Sequence, residues 1–298
     1  MECVPWFVVR SVTTGEPGPH ASVPTPARVR TFHPRRGRLS GRHHDALRRL
    51  WPVLGVPVAL PPAAAAGLPD SGPGRPAAGP GLADRGVPGA RPAGAGAGPQ
   101  AAEAPGRPVP LDPVALFGRS APLVLEIGSG MGDATVEMAA ADPGRDYLAV
   151  EIHTPGIAHL LALVERRGLA NVRVAAGDAL DLLRHQIAPD QLTAVHAYFP
   201  DPWPKARHHK RRLIQPAHVA LIRSRLAPGG LLHCATDWPA YAEAMLATLT
   251  ADGQLRNLYD GYAPRPAARP LTKFELRALA AGRPVRDLMF VRDVPAAP

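Results

Sequence analysis

Leu123-Val124-Leu125-Glu126-Ile127-Gly128-Ser129-Gly130-Met131-Gly132 is a short β-rich run that stops in three glycines set two residues apart, and a helical pattern begins at Asp133. Glycine at 128, 130 and 132 lets the chain turn tightly and bring its backbone close to a ligand facing the helix N-terminus. The spacing is G-x-G-x-G. No glycine falls where the third of G-x-G-x-x-G belongs, which disfavours a dinucleotide site. Outward from this turn, strands and helices alternate. Further strands are expected at Tyr147 to Ile152, Val172 to Ala175, Ala194 to Phe199 and Gly230 to Thr236. After the second strand, Thr154 is expected to cap a helix with Pro155 at its first position, apolar side chains at Ile157, Leu160, Leu161 and Val164, and an end at Gly168. Helices also fit at Leu180–His185, Gln215–Arg225 and Trp238–Ala251. Strands alternating with helices predict a doubly wound, parallel α/β sheet whose ligands bind at the carboxyl ends of the strands.

The acids at those strand ends narrow the ligand. Glu151 closes the second strand, where this fold class places a carboxylate on ribose hydroxyls. Asp178, in Gly177-Asp178-Ala179 after the third strand, is placed to meet an adenine edge. Each acid alone also reads as a helix cap or a solvated strand end. Beside the glycine turn, and in order at successive strand ends, they predict an adenosine site. One adenosine without a pyrophosphate describes S-adenosylmethionine, and Glu126 stands where it meets the positively charged methionine end.

The rest of the chain is of a different kind. Of 298 residues, 37 are proline and 29 glycine, nearly double the usual combined share of roughly 12%. Residues 1–29 read as a disordered leader. Residues 30–56 form a basic arm, in which Arg30, Arg35, Arg36, Arg38, Arg42, Arg48 and Arg49 face the single acid Asp45, with a short helix expected from Asp45 to Trp51. Residues 57–110, dominated by Ala, Gly and Pro, cannot bury enough surface to offset chain entropy and read as a linker. The domain proper is 111–298. With Lys+Arg 34 against Asp+Glu 25, the net charge is +9 and points to a polyanionic partner. Cys3 and Cys234 form neither a disulfide framework nor a CxxC pair, and the histidines are scattered, so no metal is expected. Met1 to Arg10 carries an acid where a signal peptide needs positive charge, and no run approaches the ~18 apolar residues of a membrane span. A soluble, cytoplasmic protein is expected, with no obligate protein partner evident.

Phe199-Pro200-Asp201-Pro202-Trp203-Pro204-Lys205 follows the fourth strand and runs into Ala206-Arg207-His208-His209-Lys210-Arg211-Arg212. A proline-locked turn at a strand's carboxyl end holds an acid and an aromatic with little residual freedom. This segment resembles the bacterial tRNA (guanine-N7)-methyltransferase family, where F-P-D-P-W-x-K-x-R-H-x-K-R-R stands at this place. The resemblance extends to Arg36-x-Gly-Arg-Leu, Glu126-Ile-Gly-Ser-Gly-Met-Gly, Val150-Glu-Ile-His-x-Pro-Gly, Ala235-Thr-Asp-Trp, Thr272-Lys-Phe-Glu and Asp287-Leu-Met-Phe. His209 departs from the family's usual asparagine, Ser129 from its frequent bulky residue, and the 57–110 stretch from its shorter connection.

The resemblance implies a Rossmann-like class I S-adenosylmethionine-dependent methyltransferase with a mostly parallel sheet. Glu126, Gly128, Gly130, Glu151, Asp178 and Asp201 are then expected to line the cofactor site, with Asp201 catalytic. Lys205, Asp237, Thr272, Lys273, Phe274 and Glu275 are expected to hold the substrate. Arg36, Arg38, Arg207, His208, Lys210, Arg211 and Arg212 are expected to contact RNA. The implied reaction is methylation of N7 of guanosine 46 in the tRNA variable loop. Thr272-x-x-Glu275 also reads as a capping box, and Asp237 as a helix cap. Two rival functions fit the residues less well. An exocyclic-amine methyltransferase carries Asp/Asn-Pro-Pro-aromatic, and Asp201-Pro202-Trp203 is one proline short. An RNA-binding protein on a catalytically inactive methyltransferase fold has no need to retain Glu126, Glu151, Asp178, Asp201 and Lys205 together.

Overall fold

The computed structural model describes residues 39–59 and 110–294. Arg36, Arg38 and the predicted leader lie outside the described residues, as does nearly all of the predicted linker. In chain order the elements are α1 (Gly41–Leu54), β1 (Gly55–Pro57), α2 (Pro113–Phe117), β2 (Leu123–Ile127), α3 (Asp133–Ala141), β3 (Asp146–Glu151), α4 (Thr154–Arg167), β4 (Val172–Ala176), α5 (Ala179–His185) and β5 (Leu192–Tyr198). A 3₁₀ turn (Ala206–Arg211) then precedes α6 (Pro216–Arg225), β6 (Leu226–Thr236), α7 (Pro239–Thr250), β7 (Leu255–Asn257), α8 (Lys273–Ala280) and β8 (Arg286–Arg292).

The strands form one sheet in the order β1-β4-β3-β2-β5-β6-β8-β7. Pairs from β1 through β6 are parallel, whereas β8 runs antiparallel to β6 and to β7. The chain winds outward from β2 to β3 and β4, then returns to lay β5 on the other side of β2. That reversal opens a crevice at the carboxyl ends of β2 and β5, where ligands of such sheets bind.

Every residue of β2 and β3 is buried, because helices cover both faces. Alternation sorts their side chains. Leu123, Leu125, Ile127, Leu148 and Val150 join a core with Leu182, Ile222, Tyr241 and Met245. Val124, Tyr147 and Ala149 join Leu47, Leu160, Leu161 and Val164 on the opposite face. At roughly 1.5–3 kcal/mol for each large apolar side chain fully buried, both layers are needed to hold the sheet.

Several elements differ from the sequence expectation. Helix α1 starts four residues earlier than Asp45, capped by Ser40, whose hydroxyl accepts from His43 N at 3.3 Å. Strand β1 was not anticipated. It is three residues long, pairs with β4 through Val56 and Ala175, and carries the ordered arm past the expected boundary at Pro57. Ala59 N still donates to Gln186 Oε1 at 2.7 Å. In α4, His153 occupies the cap position without a side-chain bond, so Thr154 is the first helical residue and Pro155 the second. Strands β7 and β8 were also unread, since each owes its place to antiparallel pairing with a strand distant in sequence.

Candidate active site

The glycine turn after β2 is a chain of left-handed residues, with φ of 77° at Gly128, 60° at Gly130 and 82° at Gly132. Any other residue would be strained there. A Cβ at Gly132 would sit 2.4 Å from Leu160 Cδ1, whereas one at Gly130 would meet nothing within 4 Å. Gly132 therefore serves packing and Gly130 borders open space. Gly156, in the first turn of α4, is a fourth member, for its Cβ would lie 2.2 Å from the Gly130 carbonyl oxygen.

Glu151, 8% exposed, is held by backbone. Gly130 N donates to Oε2 at 2.7 Å, while Ile152 N and His153 N donate to Oε1 at 2.7 and 2.8 Å. Glu126, 4% exposed, stands behind the turn and accepts from Thr135 Oγ1 at 2.5 Å. Burial pushes its carboxyl up to about 7; the Thr135 hydroxyl opposes the rise and the Glu151 charge adds to it. Asp178 is buried, caps α5 and accepts from Leu180 N at 2.8 Å. Beside it, a Cβ on Gly177 would come within 2.5 Å of Val58, where the arm crosses the end of β4.

Across the crevice, Asp201 sits between two non-glycine residues with positive φ, Phe199 at 52° and Trp203 at 44°. Such residues cost of order 1–3 kcal/mol each and persist where surroundings over-determine them. Here Phe199 N donates to Ala235 O at 2.7 Å. Trp203 is buried beneath the Arg211 guanidinium, 4.4 Å from its ring, with His208 edge-on at 5.8 Å. Arg212, 6% exposed, donates from Nε to Pro202 O at 2.9 Å and lies 4.7 Å above the Tyr241 ring. The basic run thus divides, with Arg207 and Lys210 facing solvent and Arg212 turned inward as a brace for the Asp201 turn.

One cavity joins the two halves, lined among others by Gly128, Gly130, Glu151, Tyr198, Asp201 and Phe274. Glu126 and Asp178 stand behind its wall, and Lys205 is exposed beyond it. Asp237 pairs with Arg283 at 2.9 Å. Thr272 caps α8, accepting from Glu275 N at 3.1 Å. The Glu275 carboxylate does not complete a capping box, since Arg269 and Arg265 take it up. Lys273 reaches over to Asp133 of α3 at 3.3 Å. Sequence reading missed Tyr198, His233, Arg269 and Gly156 as parts of this architecture. Only Gly156 carried a local signal, as the glycine of the Val150-to-Gly156 motif.

A doubly wound sheet with a left-handed glycine turn, a carboxylate at the end of β3 and an acid turn after β5 defines a class I S-adenosylmethionine-dependent methyltransferase. Residues 120–288 match the family described as "Putative methyltransferase". The chain is 57% identical over 188 residues to the tRNA (guanine-N(7)-)-methyltransferase of Bordetella parapertussis, covering 63% of this chain and 74% of that one. It is 45% identical over 267 residues to the enzyme of the same name from Streptomyces coelicolor, covering 89% of this chain and 81% of that one. The latter span is too long to fit within 111–298 and takes in part of the N-terminal region. This chain belongs to the tRNA (guanine-N7)-methyltransferase family.

Proposed function

We propose that this enzyme methylates N7 of guanosine 46 in the tRNA variable loop, with Asp201 as the catalytic carboxylate. The observation that carries this reading is that Asp201, on its strained turn, lines the same cavity as Gly130 and Glu151. The open space at Gly130 and the backbone-anchored Glu151 fit a nucleoside cofactor. When bound, S-adenosylmethionine supplies an electrophilic methyl on a sulfonium. Gly128 and Gly130 allow close backbone approach, Glu151 faces the ribose side, and Gly177 and Ala179, on either side of the buried Asp178, line the adenine side. Guanine N7 has an in-plane lone pair and no proton, so no side chain need act as a general base. Orientation then contributes most of the rate. Asp201 accepts hydrogen bonds from the guanine edge and favours positive charge on the purine. Phe199 and Phe274, their rings 6.3 Å apart and 19° from parallel, shield the cavity from water.

Arg207, Lys210 and, in the described part of the arm, Arg42 and Arg48 are exposed and suit phosphates. Guanosine 46 is engaged in tertiary pairing, so exposing it costs a few kcal/mol. A cytoplasmic location accords with the two cysteines, of which Cys234 is a buried free thiol. Labelled S-adenosylmethionine and unmodified tRNA, followed by nucleoside analysis, test the assignment. The expected product is 7-methylguanosine, lost when position 46 is changed to adenosine. Label on an exocyclic amine, or undiminished label on the changed tRNA, would overturn it.

A further inference from the structure

Behind the aromatic wall of the cavity runs a buried polar chain that methyl transfer to N7 does not call upon. The Tyr198 hydroxyl lies 3.0 Å from His233 Nδ1, and His233 Nε2 lies 2.7 Å from Asp287 Oδ1. Both contacts are satisfied when Tyr198 donates to Nδ1 and Nε2–H donates to Asp287. Arg269, 1% exposed, comes next. Its Nε and Nη2 donate to Asp287 at 2.8 and 2.9 Å, and its Nη1 and Nη2 donate to Glu275 at 2.5 and 3.0 Å. Arg265 Nε donates to Glu275 Oε1, the oxygen shared with Arg269 Nη2, at 2.8 Å. The Arg269 guanidinium also lies 5.8 Å from the ring centres of both Tyr198 and Phe199.

This chain ties α8 to two strands that are already paired with each other. Asp287 belongs to β8, His233 to β6 and Glu275 to the first turn of α8. Helix α8 is eight residues long, and only Glu275 and Ala278 on it are buried, while Leu276 and Leu279 face solvent. It cannot be seated by apolar burial at the usual roughly 1.5–3 kcal/mol per side chain. Yet its Phe274 lines the cofactor cavity. A buried guanidinium between two buried carboxylates is a poor source of stability compared with apolar packing, because of desolvation. Its planar fork does hold two carboxylates in fixed relative orientation.

We propose that Arg269 is a positioning residue: by gripping Asp287 and Glu275 together it seats α8, and so sets how closely Phe274 closes the cofactor cavity. The proposal rests on the reading of that cavity as the cofactor site. The full chain is compared with Arg269→Gln, Asp287→Asn, the double variant and Arg269→Lys, measuring thermal unfolding and S-adenosylhomocysteine affinity for each. Arg269→Gln leaves buried acids short of a cation and lowers the unfolding temperature. In the double variant Glu275 keeps Arg265, Asp287 is neutralised, and most of the lost unfolding temperature returns. Affinity is expected to remain at least tenfold weaker than wild type, with faster amide exchange across residues 272–280. Affinity that recovers in step with the unfolding temperature would show a merely structural ion pair and overturn the proposal. Arg269→Lys, which keeps the charge but not the fork, is expected to bind threefold to tenfold more weakly, and wild-type affinity in it also overturns the proposal. A wild-type chain that fails to bind S-adenosylhomocysteine would instead remove the cofactor reading on which the proposal stands.

Discussion

The two walls of the cavity are made in opposite ways. The glycine wall is local: Gly128, Gly130 and Gly132 adopt their conformation because of what they lack, and Glu151 is fastened by amides of the turn and of its own two successors. The Asp201 wall is assembled from afar. Its turn contains two residues in a backbone region that disfavours them, held by Ala235, Arg212 and Tyr241, while Phe274 is brought in by a helix anchored through Arg269. Binding a nucleoside asks mainly for close backbone approach, whereas aligning N7 with a methyl group asks for side chains held rigidly against one another.

The largest expected effect breaks the second wall at its centre. Asp201→Ala should reduce turnover by a factor on the order of 10²–10³, the range for removing one preorganised electrostatic group, with tRNA affinity nearly intact in a filter-binding assay. Asp201→Asn sharpens the result: a similar loss assigns the role to charge, and retained turnover assigns it to hydrogen bonding with the base. Near wild-type turnover in Asp201→Ala moves the chemistry away from this turn.

Next comes the buried acid behind the glycine wall. Folding raises the Glu126 carboxyl from 4.5 to about 7, so the folded chain holds an extra proton between those values and this residue's contribution to stability falls as pH rises through them. Glu126→Gln, with no charge to bury, should gain on wild type by on the order of 3 kcal/mol between pH 4 and pH 8.5. Denaturant unfolding at the two pH values measures it, and a pH-independent difference would contradict the assignment.

The glycines separate packing from binding within one wall. Gly132→Ala must displace Leu160, only 2.4 Å from the new Cβ, and should cost roughly 2–3 kcal/mol of stability. Gly130→Ala meets no neighbour; it should cost about 1 kcal/mol of strain and show its main effect in cofactor affinity. Equal stability losses in calorimetry would erase the distinction.

The smallest effect lies on the rim. Arg207→Glu and Lys210→Glu should each flatten the slope of log affinity against log salt for tRNA by about one. Arg212→Gln should leave that slope alone and lower the unfolding temperature, because its guanidinium faces Pro202 and Tyr241. An unchanged slope in both charge reversals places the RNA footprint elsewhere.

How much of this was legible depended on the range of the interactions. The parallel strands β2 to β5 were read within a residue or two, because burial leaves mostly apolar runs rich in Val, Leu and Ala and each ends at a turn. Strand β1 holds three residues with a proline among them, and only Val56 is buried. Nothing in Gly55-Val56-Pro57 distinguishes it from the Pro-rich stretch that follows. The histidines read as scattered are not all so: the rings of His196 and His233 lie 6.0 Å apart across β5 and β6, and burial pushes the His196 imidazole down to about 3. Their proximity comes from strand pairing over 37 positions of chain, which no local pattern records.

The sequence by itself determined the sheet class, the glycine turn, the acids at the strand ends and the prolines that flank Asp201. Each of these follows from bonded geometry or from periodicity within about fifteen residues. Only the tertiary structure decided which charges are spent inside. Arg212 became a brace, Glu275 a partner of Arg269, and Glu126 a buried acid behind Thr135. A charged residue's role depends on whether its environment is water or protein, and that is decided by elements folded against it from elsewhere in the chain.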